Sequence, residues 1–217
     1  PPSIRPSIMF DARNSNKPLV RVIDDDDAMR NSWSFIIEGE GWDVATYPDA
    51  LTFLSMGNWQ RPGCILLDVR MPHMSGLELQ FKLREIGCDL PIIFISGHGD
   101  IDMAVHTLKH GAMDFLTKPV SDQRLLEAIE TAVSRNLAHR RNNEQVANFR
   151  ARLEQLTQRE REVIRMVAHG YSNKEVAREF GISEKTVQVH RGSAYRKLNI
   201  HNAAEIARLL ILSGDPI

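Results

Sequence analysis

The stretch LVRVIDDDDAMR, residues 19 to 30, runs from a short apolar segment into four consecutive carboxylates. A short apolar segment bounded by polar residues is typical of a strand that is buried in a parallel sheet. Like charges at this spacing repel one another, so the four acids either point into solvent or share a cation. The fold that buries the strand decides between these two interpretations.

The same alternation of an apolar run and a helical pattern continues from Leu19 to about Asn136. Its apolar runs are LVRVI (19 to 23), DVATY (43 to 47), CILLD (64 to 68), PIIFIS (91 to 96) and MDFLT (113 to 117). A helical spacing of apolar residues follows each run, and most of these helical patterns stop at glycine. Five strands, each followed by a helix, predict an α/β fold with a doubly wound, five-stranded parallel sheet that is covered on both faces.

Polar side chains follow four of the predicted strands where each strand ends. The first strand ends in Asp24 and Asp25, the third in Asp68 and the fourth in Ser96, and Lys118 follows the fifth. In doubly wound sheets, ligands bind at the carboxyl ends of the strands. We therefore expect these five residues to meet at one rim of the sheet.

Magnesium is the cation that best fits the four acids, because it takes oxygen ligands and tolerates few protein groups around it. Asp24 and Asp25 come directly off the strand and should face the rim. Asp26 and Asp27 should enter the first turn of the next helix, where a negative charge favours the helix amino terminus. The alternative is that all four acids are solvated and cap the helix without any ligand.

Asp68 suggests a second chemistry, because an apolar strand has no packing reason to finish in a carboxylate. A cap or a turn is the simpler interpretation. Beside other acids, a hydroxyl and a lysine, however, Asp68 could act as a nucleophile towards a phosphoryl group. Mg²⁺ and the ammonium group would then neutralise the phosphoryl oxygens.

Four blocks of the sequence resemble the signature blocks of two-component response-regulator receiver domains. They are IDDDDAMR, LLDVRMPHMSGLEL, IFISGHGD and GAMDFLTKPV, in the order and spacing of that family. The resemblance covers residues 19 to about 137 and implies a flavodoxin-like receiver domain at 18 to 137. Residues 1 to 17 are expected to form a disordered tail.

By this resemblance, Asp68 is the phosphoacceptor. Mg²⁺ would be bound by Asp25 with Asp24 beside it, by Asp68, and by the backbone carbonyl of Arg70. The resemblance also implies a switch hydroxyl at Ser96, a switch aromatic at Phe115, and a phosphate-contacting cation at Lys118 with a cis peptide into Pro119. Arg70 and His98 lie at the positions that tune the phosphoryl lifetime. Val105 and Lys109 are expected to form the dimerisation face. On pattern alone, Phe115 would simply belong to the core.

The remainder of the chain differs in charge and pattern. Residues 1 to 149 hold 15 Lys and Arg against 20 Asp and Glu, whereas residues 150 to 217 hold 12 against 8. An acidic part joined to a basic part indicates two domains with different partners. Residues 138 to 156 contain no glycine or proline, which predicts a helical linker that continues the fifth helix.

Beyond this linker, residues 157 to 217 predict a small all-α domain. Three capping boxes recur, at Thr157 with Glu160, Ser172 with Glu175 and Asn202 with Glu205, and Ser183 is a further cap candidate. They predict four short helices. A turn with glycine joins the second to the third, as in a helix-turn-helix.

The third of these helices, in residues 183 to 200, has a polar face suited to DNA. At 100° per residue, one side is apolar, and the opposite side holds Lys185, Gln188, Val189, Gly192 and Arg196. These residue types contact phosphates and base edges in a major groove. A solvated helix face is the alternative. An exposed valine and a mid-helix glycine, which costs ~1 kcal/mol relative to alanine, favour close approach of another molecule.

The segment from about 150 to 212 resembles the LuxR-type helix-turn-helix, and its pairing with a receiver domain is similar to the NarL/FixJ class. This resemblance adds Thr186 and Arg191 to the expected DNA contacts. It also implies a two-fold operator in double-stranded DNA, a homodimer that forms on phosphorylation, a cognate histidine kinase, and RNA polymerase as a further candidate partner. Gln188, where the family commonly has lysine, and Gly192 depart from the family pattern, so the operator cannot be inferred.

The whole sequence therefore predicts a transcription regulator and not an enzyme, with at most its own Mg²⁺-dependent phosphorylation and dephosphorylation. Two alternatives are a metal-dependent phosphohydrolase that uses Asp68 and a regulator that works without phosphorylation. No apolar run reaches the length of a membrane span, and no signal peptide is recognisable, so a cytoplasmic location is expected. Cys64 and Cys88 are too few for a disulfide framework.

Overall fold

The computed structural model describes residues 17 to 97 and 101 to 214, and in residues 101 to 103 the backbone only. His98 and the predicted tail, except for Lys17, therefore lie outside the described residues. The chain divides into two compact units between His139 and Arg140.

The first unit is a five-stranded sheet with helices on both faces. Its strands are β1 (Leu19–Ile23), β2 (Asp43–Tyr47), β3 (Gly63–Asp68), β4 (Ile92–Ser96) and β5 (Asp114–Thr117). Its helices are α1 (Asp27–Gly39), α2 (Ala50–Met56), α3 (Gly76–Glu85), α4 (Ile101–Lys109) and α5 (Asp122–Leu153), the last of which continues into the second unit. All strand pairs are parallel and the order is β2-β1-β3-β4-β5, so the predicted doubly wound sheet is confirmed.

Both faces of the sheet are buried, each in its own hydrophobic cluster. Val20 and Val22 of β1 belong to the cluster with α1 and α5, whereas Ile23 belongs to the cluster with α2 and α3. Strand β3 alternates in the same way, with Cys64 on the first face and Leu67 on the second. This two-sided burial explains why the central strands are almost continuously apolar. Burial also raises the pKa of the Cys64 thiol to about 12.

The one charged residue of β1, Arg21, is fully buried. Its guanidinium donates to the carbonyl of Leu19 at 2.9 Å, to that of Arg61 at 2.7 Å, and to that of Asn58. A buried charge needs such hydrogen bonds to offset the loss of water. Arg21 thereby fixes the loop between α2 and β3 against the centre of the sheet.

The second unit consists of four helices and the end of α5. The helices are α6 (Gln158–Ala168), α7 (Asn173–Phe180), α8 (Glu184–Leu198) and α9 (Ala203–Ser213), as the sequence predicts. Their core includes Phe149 and Leu153 of α5 and Leu156 just after it. Part of the segment predicted as a linker thus belongs to this core.

Two of the three predicted capping boxes, those at Thr157 and Ser172, are confirmed, and the third is wrong in its second half. Asn202 caps α9 by accepting from the Glu205 N–H at 2.8 Å. The Glu205 carboxylate, however, accepts from the His201 N–H at 3.1 Å and not from that of Asn202. The spacing alone does not determine which of two adjacent N–H groups the carboxylate reaches.

Within residues 17 to 97 and 101 to 214, no helix is both long and apolar enough to cross a membrane.

Candidate functional site

Three of the predicted rim residues form one ionic cluster, which we call the acidic rim: Asp24, Asp68 and Lys118. The Lys118 ammonium lies 3.0 Å from Asp24 Oδ2 and 2.9 Å from Asp68 Oδ1. Strands β1 and β3 are neighbours, so their carboxyl ends hold the two acids side by side, and the lysine reaches both from the end of β5. The sheet therefore brings together groups that are 44 and 50 positions apart in the sequence.

Burial gives the acidic rim its electrostatic character. Asp24 and Asp68 are only 3% and 8% exposed. Burial raises the pKa of Asp68 from its ordinary value, although hydrogen bonds from Lys118 and Arg70 oppose this. Burial would lower the pKa of Lys118, but its hydrogen bonds to both carboxylates outweigh that effect and raise it. The rim thus holds a charged lysine beside an aspartate that is poorly stabilised as an anion, and such a carboxylate gains from a further cation.

The four consecutive acids lie in two places, two of them at or next to the acidic rim and two at the start of α1. Asp24 lies in the acidic rim, where its Oδ1 also accepts from the Asp26 N–H at 2.9 Å, and Asp25 is exposed next to it. Asp26 is the N-cap of α1 and accepts from the N–H groups of Ala28 and Met29. Only Asp27 therefore lies in the first helical turn, where the sequence had predicted both Asp26 and Asp27. Solvated capping thus accounts for two of the four acids.

Of the predicted switch residues, Ser96 lies at the same end of the sheet, and Phe115 lies within β5. Ser96 is buried at the end of β4, opposite Thr117 of β5 in the strand register. Phe115 is partly buried, with its ring centroid 6.5 Å from that of Phe94. The peptide bond between Lys118 and Pro119 is cis, as the resemblance implied.

The donor set of the rim fits Mg²⁺. Asp24, Asp25 and Asp68 offer hard carboxylate oxygens, and the carbonyl of Arg70 follows Asp68 in the chain. Over the ranges 17 to 97 and 101 to 214, no three His, Cys, Asp or Glu side chains are grouped to hold a metal by themselves. Mg²⁺ ordinarily keeps several of its waters, so an open rim of this kind suits it better than it suits an ion that needs an all-protein cage.

Gly76 is a site residue that the sequence analysis missed. A Cβ at this position would lie 2.3 Å from the backbone oxygen of Asp68. Gly76 begins α3, and its N–H donates to the Val69 carbonyl at 3.0 Å. Ser75 and Glu78 form a capping box at this helix start, which is the same sequence signal that was recognised in the second unit. The tight approach of α3 to the end of β3 thus requires glycine.

The exposed face of α8 is confirmed for the five residues placed there by helical spacing. All five are exposed, and Val189 has 64% of its surface accessible. Val187, Ala194 and Leu198 are buried on the opposite side. A Cβ at Gly192 would meet nothing within 4 Å, so internal packing does not require this glycine.

Thr186 and Arg191 lie at the margin of that face. The Thr186 hydroxyl is 2.8 Å from the Ser183 hydroxyl at the start of α8. Arg191 donates to Asn173 Oδ1 and to the Tyr195 hydroxyl, both at 3.1 Å. Both residues are only partly exposed and are engaged within the unit.

A buried carboxylate, Glu160, fixes α8 to α6. It accepts from Lys197 Nζ at 2.7 Å, from Ser193 Oγ at 2.6 Å and from the Thr157 N–H at 2.8 Å. Burial opposes ionisation, but these hydrogen bonds outweigh it and lower the pKa of Glu160 to about 2. The sequence showed Glu160 as a capping residue only, because nothing in its spacing indicates the contact with α8.

Comparisons with known proteins agree with these two units. Residues 20–130 match the response regulator receiver domain family, and residues 154–210 match the luxR family of bacterial regulatory proteins. The response regulator protein TmoT of Ectopseudomonas mendocina is 41% identical over 196 residues, which are 90% of this chain and 89% of TmoT. The transcriptional regulatory protein FixJ of Azorhizobium caulinodans is 38% identical over 195 residues, or 90% and 92% of the two chains.

Among solved structures, that of the response regulator StyR is 40% identical and superimposes with a TM-score of 0.76 over 90% of this chain and 98% of StyR. The fold and the acidic rim define a receiver domain, and the helical unit is a LuxR-type DNA-binding domain. The chain belongs to the two-component response regulators of the NarL/FixJ class.

The ion pair of Glu160 predicts a stability effect that depends on pH. Because the folded-state pKa of about 2 lies below the ordinary value of 4.5, the stabilisation is complete above about pH 4.5 and is lost as the pH falls towards 2. Glu160→Gln should destabilise the second unit at pH 7 by on the order of 1–3 kcal/mol. Thermal unfolding of the full chain between pH 7 and pH 3 measures this difference.

Glu162→Gln is the matched control, since Glu162 lies on the same helix in an exposed ion pair with Arg159. Such an exposed pair contributes about 0.5 kcal/mol or less to the free energy of unfolding. A wild-type advantage over Glu160→Gln that stays constant down to pH 3 would contradict the role of the ionised carboxylate.

Proposed function

We propose that a partner histidine kinase phosphorylates Asp68, and that the phosphorylated chain dimerises and binds two-fold DNA sites to control transcription. The observation that carries this proposal is the Lys118 ammonium between the buried carboxylates of Asp24 and Asp68. A buried carboxylate beside a lysine and at the carboxyl edge of a parallel sheet has the chemistry of a phosphoryl acceptor.

The transfer is a nucleophilic displacement. A carboxylate oxygen of Asp68 attacks the phosphorus of a phosphohistidine, the bond from phosphorus to nitrogen breaks, and the nitrogen keeps the electron pair. Lys118 offers its charge to the phosphoryl oxygens, which is the main contribution that a protein makes to phosphoryl transfer. Asp24, Asp25, Asp68 and the carbonyl of Arg70 would hold Mg²⁺, which supplies further charge neutralisation when bound.

The change at Asp68 must reach a surface in order to alter assembly. Ser96 and Phe115 are the residues that we propose as intermediates, because one is buried beside the acidic rim and the other lies partly buried on β5. Val105, which is 43% exposed, and Lys109 on α4 form the proposed dimer face. A two-fold dimer would use this face twice.

DNA binding is assigned to the exposed face of α8. Lys185 and Arg196 lie towards its edges and are proposed to contact mainly phosphates, whereas Gln188 and Val189 lie where base edges would be. Gly192 leaves the surface open for close approach, as the free space around it supports. Thr186 and Arg191 remain proposed contacts at the margin of the face, and their existing bonds favour a positioning role.

Asp68→Asn should abolish labelling by a low-molecular-weight phosphodonor such as acetyl phosphate, because an amide is a far poorer nucleophile than a carboxylate. The measurement is the incorporation of phosphate into the full chain in the presence of Mg²⁺. Labelling of the variant at the wild-type level would show that another residue is the nucleophile.

Asp25→Ala serves as the companion variant in the same assay. It should keep the fold and weaken the Mg²⁺ dependence of labelling, because Asp25 is exposed and the change removes one clustered charge. An unchanged Mg²⁺ titration would show that the metal ligands among the four acids are assigned wrongly.

Val105→Asp should prevent dimerisation of the phosphorylated chain without preventing its phosphorylation. The two-fold symmetry places two carboxylates at the interface for one substitution, and like charges there repel. Sedimentation of the phosphorylated proteins measures the effect. Met56→Asp, at another exposed apolar position, is the control that should dimerise normally. A phosphorylated Val105→Asp protein with wild-type dimerisation would exclude this face.

The α8 variants separate positioning on DNA from reading of its sequence. Gln188→Ala should relax the preferred base at one position of each half-site, at a cost of about 1–3 kcal/mol for that base. Arg196→Ala should weaken binding to specific and random DNA alike and lower the salt slope by roughly one unit. Selection of binding sites from random DNA with the wild type and the two variants measures both effects. The two half-sites of the selected DNA should lie about one helical turn apart. A Gln188→Ala protein that selects the wild-type motif at every position would show that this face does not read bases.

A further inference from the structure

The guanidinium of Arg191 on α8 is held in place by two other residues of the second unit. Its Nε donates to the Tyr195 hydroxyl and its Nη1 donates to Asn173 Oδ1, both at 3.1 Å. The guanidinium carbon also lies 5.1 Å from the centroid of the Tyr195 ring. Asn173 is the first residue of α7, so these contacts fix one cation between two helices. A freely rotating arginine loses conformational entropy when it binds a partner, and the contacts reduce that loss.

Part of the donor capacity of this assembly is unused. The two hydrogen bonds occupy only some of the N–H groups of the guanidinium, and the Tyr195 hydroxyl, which accepts from Nε, still has its own hydrogen to donate. Within residues 17 to 97 and 101 to 214, no group accepts from Arg191 Nη2 or from the Tyr195 hydroxyl. Both residues are partly exposed. The assembly therefore offers two neighbouring donors and a permanent positive charge to a partner.

The assembly lies on the flank of α8 next to Gln188. At about 100° per residue, Tyr195 is about 20° and Arg191 about 60° from Gln188 around the helix axis, both on the side away from Val189. Gln188 is proposed to contact a base edge, and the phosphates line the two sides of the groove that contains the base edges. A side chain on this flank is thus placed beside the backbone of the DNA.

The local charges favour an anionic partner. Lys174, which follows Asn173, is exposed. Glu175, the carboxylate nearest to Asn173 in the chain, already accepts from the Ser172 N–H at 2.8 Å and from the Ser172 hydroxyl at 2.7 Å. A phosphodiester oxygen is anionic and accepts more than one hydrogen bond, so it matches both the charge and the two donors.

We propose that Arg191 and Tyr195 together bind one phosphate of the DNA backbone in each half-site, and that Asn173 is a positioning residue that acts through Arg191. Arg191 Nη2 and the Tyr195 hydroxyl donate to the phosphate oxygens, while Asn173 and the Tyr195 ring hold the guanidinium. The inference rests on the proposed binding of DNA by α8. It adds Asn173 and Tyr195 to that interface and assigns Arg191 to a contact that carries no sequence information.

The salt dependence of DNA binding tests the phosphate contact. The full chain, with and without acetyl phosphate and Mg²⁺, is titrated into a fluorescent duplex of mixed sequence, about 24 base pairs long, at salt concentrations from about 50 to 200 mM. A phosphate contact needs no particular operator. Arg191→Gln should weaken binding about tenfold and lower the salt slope by roughly one unit per bound chain. Arg208→Gln, at an exposed cation of α9, is the matched control and should keep the wild-type slope.

Two further variants test how the guanidinium is held. Asn173→Ala and Tyr195→Phe keep the charge of Arg191, so each should weaken binding about threefold to tenfold without changing the salt slope. In the Arg191→Gln background, Asn173→Ala should cost less than about twofold more, because the side chain through which it acts is gone. A merely structural role of Asn173 in α7 would weaken binding to the same extent in both backgrounds.

The contrary results are distinct from one another. An unchanged salt slope in Arg191→Gln, or an equal fall in Arg208→Gln, would overturn the phosphate contact of Arg191. Additive losses from Asn173→Ala and Arg191→Gln, or wild-type affinity of Tyr195→Phe, would overturn the roles given to Asn173 and Tyr195. These results leave the proposed DNA binding intact. A wild-type chain that binds no duplex even at about 50 mM salt would overturn the proposed DNA binding itself, and this inference with it.

Discussion

The contact that organises the acidic rim is the lysine that bridges two buried aspartates, Lys118 between Asp24 and Asp68. Two carboxylates at the ends of neighbouring strands repel one another unless a cation lies between them, and repulsion is strongest where water is excluded. The cation comes from β5, so the cluster requires the strand order that the sheet has. A single ammonium leaves two carboxylates incompletely neutralised. The rim therefore keeps a negative charge that attracts a further cation.

The two units use buried carboxylates in opposite ways. Glu160 accepts hydrogen bonds from a lysine, a hydroxyl and a backbone amide, and these bonds lower its pKa to about 2. The ionised carboxylate thereby links α6 to α8. Asp68 accepts hydrogen bonds from a lysine and from one backbone amide, but burial outweighs them and raises its pKa. The difference lies in how completely each anion is satisfied. A carboxylate with complete hydrogen bonding holds structure, whereas an incompletely satisfied one can still take a further donor or cation.

The strands and helices of the first unit were predictable because a parallel sheet buried on both faces has continuous apolar strands that alternate with helical spacing. The residues of the acidic rim were predictable because polar residues stand where these apolar strands end. Features that depend on contacts distant in the sequence were not predictable. Arg21 interrupts an apolar run, and its partners are carbonyls of Asn58 and Arg61 in a loop without any distinguishing signal. The contact of Glu160 with α8 depends in the same way on distant atoms. Helical spacing placed the exposed face of α8 correctly, but it could not show that Arg191 is held by Asn173.

The identity of the phosphoacceptor is the central claim, and chemical mapping tests it most directly. Borohydride reduces an aspartyl phosphate to homoserine, so the full chain, treated first with acetyl phosphate and Mg²⁺ and then with borohydride, carries a permanent mark where the phosphoryl group was. Peptide mass spectrometry should find homoserine at position 68 and aspartate still at positions 24 and 25. Homoserine at another position, or no homoserine in a protein that has incorporated phosphate, would contradict the account.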